Sequence, residues 1–181
     1  ASLAVMSFSG YDIEDAIVLN KASVDRGFGR CIVLKKTTTT LKKYPNQTRD
    51  IIRGPERRLD RDGNVLRDPK TGEEMVIDMH KCLGRDGIVK TGERVASGSV
   101  LINKHLPKET NNPVSNPTAL PPSMYARQVQ RYKGPSDAYV DQVILTSNQR
   151  DHFVIKIQMR STRRPELGDK FSSRHGQKGV V

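Results

Sequence analysis

The chain has 181 residues, of which 31 are Lys or Arg and 20 are Asp or Glu, so its formal net charge is +11. No apolar run approaches the ~18–20 residues of a membrane span, and two cysteines are too few for a disulfide framework or a four-ligand zinc site, which indicates a reducing, intracellular setting. The excess of positive charge favours a polyanionic partner, because clustered Lys and Arg displace counterions from phosphates.

Short elements follow one another at the start of the chain. The apolar run at residues 16–19 is short and β-branched, which predicts a buried strand. Asn20 is a favourable N-cap residue and Gly27 a favourable terminator, so we expect a brief helix over residues 21–26. A further apolar run, residues 31–34, predicts a second strand.

The middle of the chain predicts hairpins. Asp62-Gly63 is a two-residue turn signal between short apolar segments, and a second turn is expected at residues 70–72. Turn signals recur around short apolar runs as far as residue 102, a pattern typical of all-β proteins. Residues 107–135 contain six of the ten prolines, so we predict a loop without regular secondary structure there.

Alternating strands return after this loop. Residues 139–145 and 153–160 alternate between apolar and polar side chains. In the second segment the odd positions from 153 to 159 are apolar, which predicts that one face of the strand is buried. The chain as a whole is therefore predicted to be mainly β, with short helices.

A basic, glycine-rich segment near the end is the strongest candidate for chemistry. In residues 165–179 (PELGDKFSSRHGQKG), glycines surround Lys170, Arg174, His175 and Lys178. Glycine lets the backbone approach a ligand closely, lysine supplies a compact charge for phosphate, and arginine offers a planar fork. The spacing is not that of a P-loop. The residues alone leave a solvated basic turn as an equal alternative to phosphate contact.

An acidic pair, Glu14 and Asp15, is the second candidate. Adjacent side chains of a strand point to opposite faces, so both carboxylates can serve one metal ion only if the backbone bends there. A cation held partly by carboxylate and partly by substrate phosphate is the usual arrangement of Mg²⁺. The spacing alone favours the alternative, which is an acidic turn before a buried strand.

Two long motifs together resemble a known family. Residues 6–21 (MSFSGYDIEDAIVLNK) and 168–179 (GDKFSSRHGQKG) resemble hallmarks of the second-largest, beta-like subunit of multisubunit DNA-directed RNA polymerases, in the same order and at a similar separation. Residues 21–31 are most similar to the RNA polymerase III version, and an archaeal subunit is the alternative. The resemblance is strong over residues 4–36 and 138–181 and patchy between them.

The resemblance implies an architecture. The fold would be an incomplete double-psi β-barrel with a hairpin-rich wall, or flap, inserted into it. Residues 1–30 would form the first part of the hybrid-binding region, residues 31–163 the wall with its Pro-rich loop 107–135, and residues 164–181 a truncated second part. The chain begins without Met and ends within an apolar segment, so we expect it to be a piece of a larger protein.

The resemblance also assigns roles to the two candidate segments. Lys170 and Lys178 match the catalytic lysines that approach the 3′ end of the RNA and the incoming nucleotide. Glu14 and Asp15 match a pair near the second, exchangeable magnesium, while the tightly bound magnesium belongs to the largest subunit. Arg174 and His175 of the same motif are expected to support the nucleic acid or its phosphates.

The implied function is template-directed RNA synthesis, with small structural RNAs such as tRNA and 5S rRNA as the products of a polymerase III. The expected partners are the largest and other polymerase subunits, the RNA–DNA hybrid and nucleoside triphosphates, with no membrane, no zinc in this region, and a nuclear location (cytoplasmic if archaeal). The isolated piece is expected to be inactive. Two alternatives stay open: a non-catalytic basic β-module that binds nucleic acid, and a small phosphate-handling enzyme that uses Glu14 and Asp15 as metal ligands.

Overall fold

The computed structural model describes residues 2, 4–7, 9–149 and 152–181 and is mainly β, which confirms the predicted fold class. No helix in these ranges is long and apolar enough to cross a membrane. The described elements are one short α-helix, two 3-10 helices at Asp78–His80 and Pro122–Met124, and strands numbered in chain order: α1 (Lys21–Asp25), β1 (Cys31–Leu41), β2 (Ile51–Ile52), β3 (Arg94–Val95), β4 (Val100–Ile102), β5 (Lys104–Pro107), β6 (Tyr125–Arg127), β7 (Gln130–Arg131), β8 (Ala138–Ser147), β9 (Phe153–Arg163), β10 (Lys170–Ser172) and β11 (Lys178–Val180).

The chain forms two compact units. Unit 1 comprises residues 1–33 and 162–181, and unit 2 comprises residues 34–161. The ends of the chain therefore fold together, while the hairpin-rich middle is a separate unit. Both candidate motifs of the sequence belong to unit 1.

The core belongs to unit 2. Its largest sheet has the strand order β1-β9-β8-β3, and smaller sheets are formed by β2-β5-β6 and by β4-β7. In β9 the side chains of Ile155, Ile157 and Met159 are buried, which confirms the predicted apolar face. Phe153 differs, with 42% of its surface exposed, because it lies at the end of the β8–β9 hairpin, opposite Ser147. Around these residues the core is completed by Val95, Val100, Leu101, Ile102 and Val140.

The hairpin predicted around Asp62-Gly63 forms, with one difference. Leu59 pairs with Val65, and the Asp60 amide donates to the Asn64 carbonyl at 2.9 Å, which leaves three residues between them instead of two; inside this loop the Gly63 amide donates to the Asp60 carbonyl at 3.3 Å. The Asp60 side chain accepts hydrogen bonds from the amides of Asp62 and Asn64. This side-chain cap stabilises the wider loop, because it satisfies two amides that have no strand partner.

The prediction of a structureless loop at residues 107–135 is wrong for its second half. Residues 122–131 form a 3-10 helix followed by β6 and β7, which pair with β5 and β4. The prolines explain the division: they are crowded into the first half, and positions 123–134 contain none. That proline-free stretch keeps the N–H groups that strand pairing requires.

In unit 1 the helix prediction is confirmed and one strand prediction is wrong. The Asn20 side chain accepts a hydrogen bond from the Ser23 amide at 3.2 Å, and Gly27 follows the helix at φ +115°. Among the described residues, however, the run at residues 16–19 makes a single parallel bridge, between Ala16 and Val180, and Val18 is 52% exposed. Its strand neighbour in the described residues, β11, ends at Val180, so the ladder stops after one pair.

Candidate functional site

The two lysines of the basic motif lie on one short hairpin. β10 and β11 are antiparallel, with Lys170 opposite Val180 and Ser172 opposite Lys178. Directly opposed residues of an antiparallel pair share a face, and so do residues two apart on one strand. Lys170 and Lys178 therefore project from the same face as diagonal neighbours, and both side chains are exposed.

The loop between the two strands carries the other candidates, Arg174 and His175. It closes with a 2.7 Å hydrogen bond from the Ser173 amide to the Gln177 carbonyl, and the Ser173 hydroxyl accepts a hydrogen bond from the His175 amide. Both candidate side chains are exposed at the tip of this loop. They are thus held by the same hairpin as the lysines, beyond its last paired residues.

The acidic pair lies on a bent backbone. Residues 11–14 form a turn, and Asp15 has φ +62°, in the left-handed region that few non-glycine residues adopt. Aspartate tolerates this conformation better than most residues. The regular alternation of a strand is broken at this point, which is the condition for the carboxylates of Glu14 and Asp15 to serve one cation. Both side chains are exposed.

Backbone hydrogen bonds bring the acidic segment to the hairpin. The Val180 amide donates to the Asp15 carbonyl at 3.0 Å, and the Ile17 amide donates to the Val180 carbonyl at 2.9 Å. These two bonds flank Ala16 and constitute the parallel bridge between Ala16 and Val180. Asp15 and Val180, which are 165 positions apart in sequence, are therefore adjacent in unit 1. Phe8, which belongs to the first motif, lies outside the described residues.

A shallow cavity opens where the two segments meet. It has a volume of about 240 Å³, and its lining includes Asp15, Ile17, Ser173 and Lys178. Lys170 lines a second cavity of about 500 Å³, together with Arg163 and Arg164. The structure thus brings Asp15 and Lys178 to one cavity and Lys170 to another. Neither of these two cavities is lined by Glu14, Arg174 or His175.

The charges of the site are not neutralised by one another. Within the described ranges, Glu14, Asp15, Lys170 and Lys178 take part in no ion pair, although Arg163 beside them pairs with Asp169. The same ranges contain no group of three His, Cys, Asp or Glu side chains that could hold a metal ion. Unpaired and exposed charges of both signs at one junction are available for an external ligand that carries both phosphate and a cation.

Two residues of this junction were not singled out by the sequence analysis. Gly179 is buried, and a Cβ atom built on it would lie 2.7 Å from the Asp15 carbonyl oxygen and 2.8 Å from Cγ1 of Ile17. Asp169 accepts a hydrogen bond from the Glu166 amide through Oδ2 and so closes the turn that leads into β10. The turn sequence could have indicated the second role, but no local pattern reveals the first, because it depends on a distant segment.

Comparisons with known proteins give a consistent result over the whole chain. The family model described as RNA polymerase Rpb2, domain 6, matches residues 1–181. The chain is 52% identical over 180 residues to DNA-directed RNA polymerase III subunit rpc2 of Dictyostelium discoideum, covering 99% of the chain and 10% of that protein. It is 49% identical over 182 residues to DNA-directed RNA polymerase III subunit RPC2 of Drosophila melanogaster, covering 100% of the chain and 15% of that protein.

An archaeal relative is more distant. DNA-directed RNA polymerase subunit Rpo2 of Sulfolobus acidocaldarius is 33% identical over 182 residues, covering 100% of the chain and 15% of that protein. The chain therefore spans between 10% and 15% of the length of these relatives.

Proposed function

Because the chain belongs to the RNA polymerase Rpb2 domain 6 family, we propose that it acts as part of the second-largest subunit of a DNA-directed RNA polymerase. The polymerase III form is favoured, since identity to two polymerase III subunits is 52% and 49%, against 33% for the archaeal subunit. Its activity would be nucleotidyl transfer within the assembled enzyme, in the nucleus. Its partners would be the largest subunit and the other polymerase subunits.

We assign the two structural units to two roles. Unit 1 would be the hybrid-binding region, because it contains both family motifs and their junction. Unit 2 would be the wall that meets the end of the RNA–DNA hybrid, and its hairpins and excess of basic residues suit that role. Both units would contact the sugar-phosphate backbone of the hybrid. Such contacts recognise phosphates and the shape of the hybrid, and they carry no base information.

The lysines would stabilise the negative charge of the reacting phosphates. In nucleotidyl transfer the attacking and leaving oxygens lie in line at phosphorus, and charge spreads over the phosphoryl oxygens. Lys178 and Lys170 project from one face of a hairpin and are free of ion pairs within the described ranges, so they need not give up a partner when the phosphates bind. Cations held in place before the reaction stabilise such charge better than mobile water can.

Glu14 and Asp15 would attend the magnesium ion that accompanies the nucleotide. The residues fit this task in part: two exposed carboxylates on a bent backbone are hard oxygen ligands, and they lie beside the hairpin of Lys178. Mg²⁺ prefers such a site, where one or two carboxylates act with substrate phosphates and water. When bound, the ion neutralises charge on the phosphate oxygens. The other ligands would come from the nucleotide and from the largest subunit.

The observation that carries this proposal is the parallel bridge between Ala16 and Val180, since it joins the acidic segment to the lysine hairpin. The test is Lys178→Ala, and separately Lys170→Ala, in the assembled polymerase. We expect each to lower the rate of nucleotide addition by about 100-fold, the cost of removing one transition-state donor. Lys21→Ala, at the start of α1, is the matched control, because it removes an exposed lysine of the same unit outside the hairpin. Nucleotide addition at the rate of the control would reject the phosphate role.

A further inference from the structure

The junction between the two motifs depends on a residue without a side chain. Gly179 lies between Lys178 and Val180 in β11, opposite Phe171 of β10. It is buried, whereas the residues on both sides of it are exposed. A side chain at this position would therefore project from the covered face of the hairpin, towards the acidic segment.

The space at this position is too small for any side chain. A Cβ atom on Gly179 would lie 2.7 Å from the Asp15 carbonyl oxygen, 2.8 Å from Cγ1 of Ile17 and 2.9 Å from Cδ1 of Ile17. The first of these contacts is with backbone, which cannot turn away as a side chain can. The Asp15 carbonyl is moreover fixed by its 3.0 Å hydrogen bond from the Val180 amide.

The conformation of Gly179 itself is not the reason for the glycine. Its φ lies outside the positive range, in contrast to Gly168 and Gly176 of the same motif, where φ is +91° and +86° and a Cβ atom would meet nothing within 4 Å. Two kinds of glycine are thus present in one motif. Gly168 and Gly176 serve turns, and Gly179 serves the close approach of another segment.

We propose that Gly179 is a positioning residue: the absence of a side chain there lets the Asp15 backbone lie against β11, which sets the acidic pair relative to Lys178. This proposal rests on the function proposed above. It adds the residue that determines how the acidic pair is placed relative to Lys178. The left-handed φ of Asp15 and the missing side chain of Gly179 are two parts of one junction, because the bend carries the carbonyl of Asp15 to the amide of Val180.

A methyl group at Gly179 would push Asp15 and Ile17 away from the hairpin while the hairpin pairing itself remains. The hydrogen-bonding groups of Val180 face the acidic segment, and the hairpin is held separately by pairs such as the Val181 amide with the Asp169 carbonyl. The change would therefore act on the distance between the acidic pair and Lys178. A displacement of about 1 Å between catalytic groups can cost about 100-fold in rate.

The test is Gly179→Ala in the assembled polymerase, with the rate of nucleotide addition measured against magnesium concentration at saturating nucleotide. We expect the magnesium concentration for half-maximal rate to rise at least about fivefold and kcat to fall by about 10- to 100-fold. Leu167→Ala is the control: it truncates a side chain of unit 1 that is 92% exposed and belongs neither to β10 and β11 nor to the acidic segment. Its magnesium dependence should match that of the wild type.

The double variant Gly179→Ala with Ile17→Ala provides the second measurement, and it carries the test if the single variant does not assemble. It removes Cγ1 and Cδ1 of Ile17, two of the three close contacts, so the magnesium requirement should return part of the way towards the wild-type value. A magnesium requirement equal to the wild type in Gly179→Ala, or in the double variant if the single one does not assemble, would overturn the proposal, because the contact with the Asp15 carbonyl remains in both variants.

The two proposals fail in different ways. Lys178→Ala with a normal rate would reject the phosphate role of the hairpin, and the role of Gly179 would fall with it. A strongly impaired Lys178→Ala together with a normal magnesium requirement in Gly179→Ala would reject the positioning role alone.

Discussion

Asp50 and Lys104 form a buried ion pair in unit 2, with 2.8 Å between Oδ2 of Asp50 and Nζ of Lys104 and none of the Asp50 side chain exposed. The Asp50 carboxylate also accepts hydrogen bonds from the Tyr44 hydroxyl and the Lys42 amide, both at 2.9 Å. Burial, followed by the hydrogen bond to Asp50 and its negative charge, raises the pKa of Tyr44 to about 12. These contacts tie the segment after β1 to β5.

Removal of one partner of this pair should destabilise unit 2 strongly. Lys104→Ala leaves the Asp50 carboxylate buried without its cation, and we expect the free energy of unfolding to fall by about 3–5 kcal/mol. Urea denaturation of the chain measures this loss. Arg57→Ala is the control, because Arg57 and Glu74 form a 2.7 Å ion pair with side chains 58% and 37% exposed, and such pairs contribute about 1 kcal/mol or less. Equal losses in the two variants would contradict the assignment of a structural role to the buried pair.

The acidic pair should affect the response of the assembled polymerase to magnesium. The proposed role of Glu14 and Asp15 at the exchangeable magnesium ion predicts that the double substitution Glu14→Ala with Asp15→Ala raises the magnesium concentration required for nucleotide addition. The measurement is the rate across a magnesium titration at saturating nucleotide. Asp25→Ala serves as the control, since Asp25 is an exposed carboxylate of α1 that pairs at 3.7 Å with Arg164. An unchanged titration curve in the double variant would leave the acidic turn without a metal role.

The features that the sequence predicted correctly are those with local causes. Asn20 caps α1 through its own side chain, and the alternation of β9 follows from its contact with one core. Each depends on residues within one turn or one strand, so a single stretch of sequence contains the information. The predicted strand at residues 31–34 likewise forms, although β1 continues to Leu41 because four consecutive threonines, residues 37–40, favour extended structure.

The features that were missed depend on partners that are distant in sequence. The run at residues 16–19 has the composition of a buried strand, but burial requires neighbours, and the bridge to Val180 supplies only one. The close approach at Gly179 is likewise set by Asp15 and Ile17. Family resemblance identified the two motifs of the candidate site, whereas their physical junction came only from the structure.

The isolated chain should bind an RNA–DNA hybrid weakly and with a steep dependence on salt. Its net charge is +11, and contacts between lysine or arginine and phosphate release counterions, so the logarithm of the affinity falls linearly with the logarithm of the salt concentration. We expect the affinity to fall about tenfold or more between ~50 and ~200 mM salt. Fluorescence anisotropy with hybrids of unrelated sequence measures both the salt slope and the selectivity. Binding that is independent of salt and selective for one sequence would contradict a phosphate-based interface.

Unit 2 contains two buried histidines, and we therefore expect it to lose stability in mild acid. His80 is fully buried, and its Nδ1 accepts a hydrogen bond from the Glu56 amide at 3.0 Å, so its proton lies on Nε2, which has no hydrogen-bond partner in the described part of the chain. Burial is the main cause that lowers the pKa of His80 below its ordinary 6.5, with Arg127 and Arg131 acting in the same direction and Glu56 against it. Burial also lowers the pKa of His105, which contacts Asn103.

The direction of the effect follows from proton binding. A histidine whose pKa is lower in the folded state binds more protons when unfolded, so its contribution to stability is complete above pH 6.5 and is lost as the pH falls towards the folded-state pKa. The slope is at most about 1.4 kcal/mol per pH unit for each histidine. Urea denaturation between pH 7.5 and pH 5 measures it, and His80→Gln, which can still accept the Glu56 hydrogen bond, should reduce the slope. A slope identical to that of the wild type would show that His80 does not bind an additional proton on unfolding.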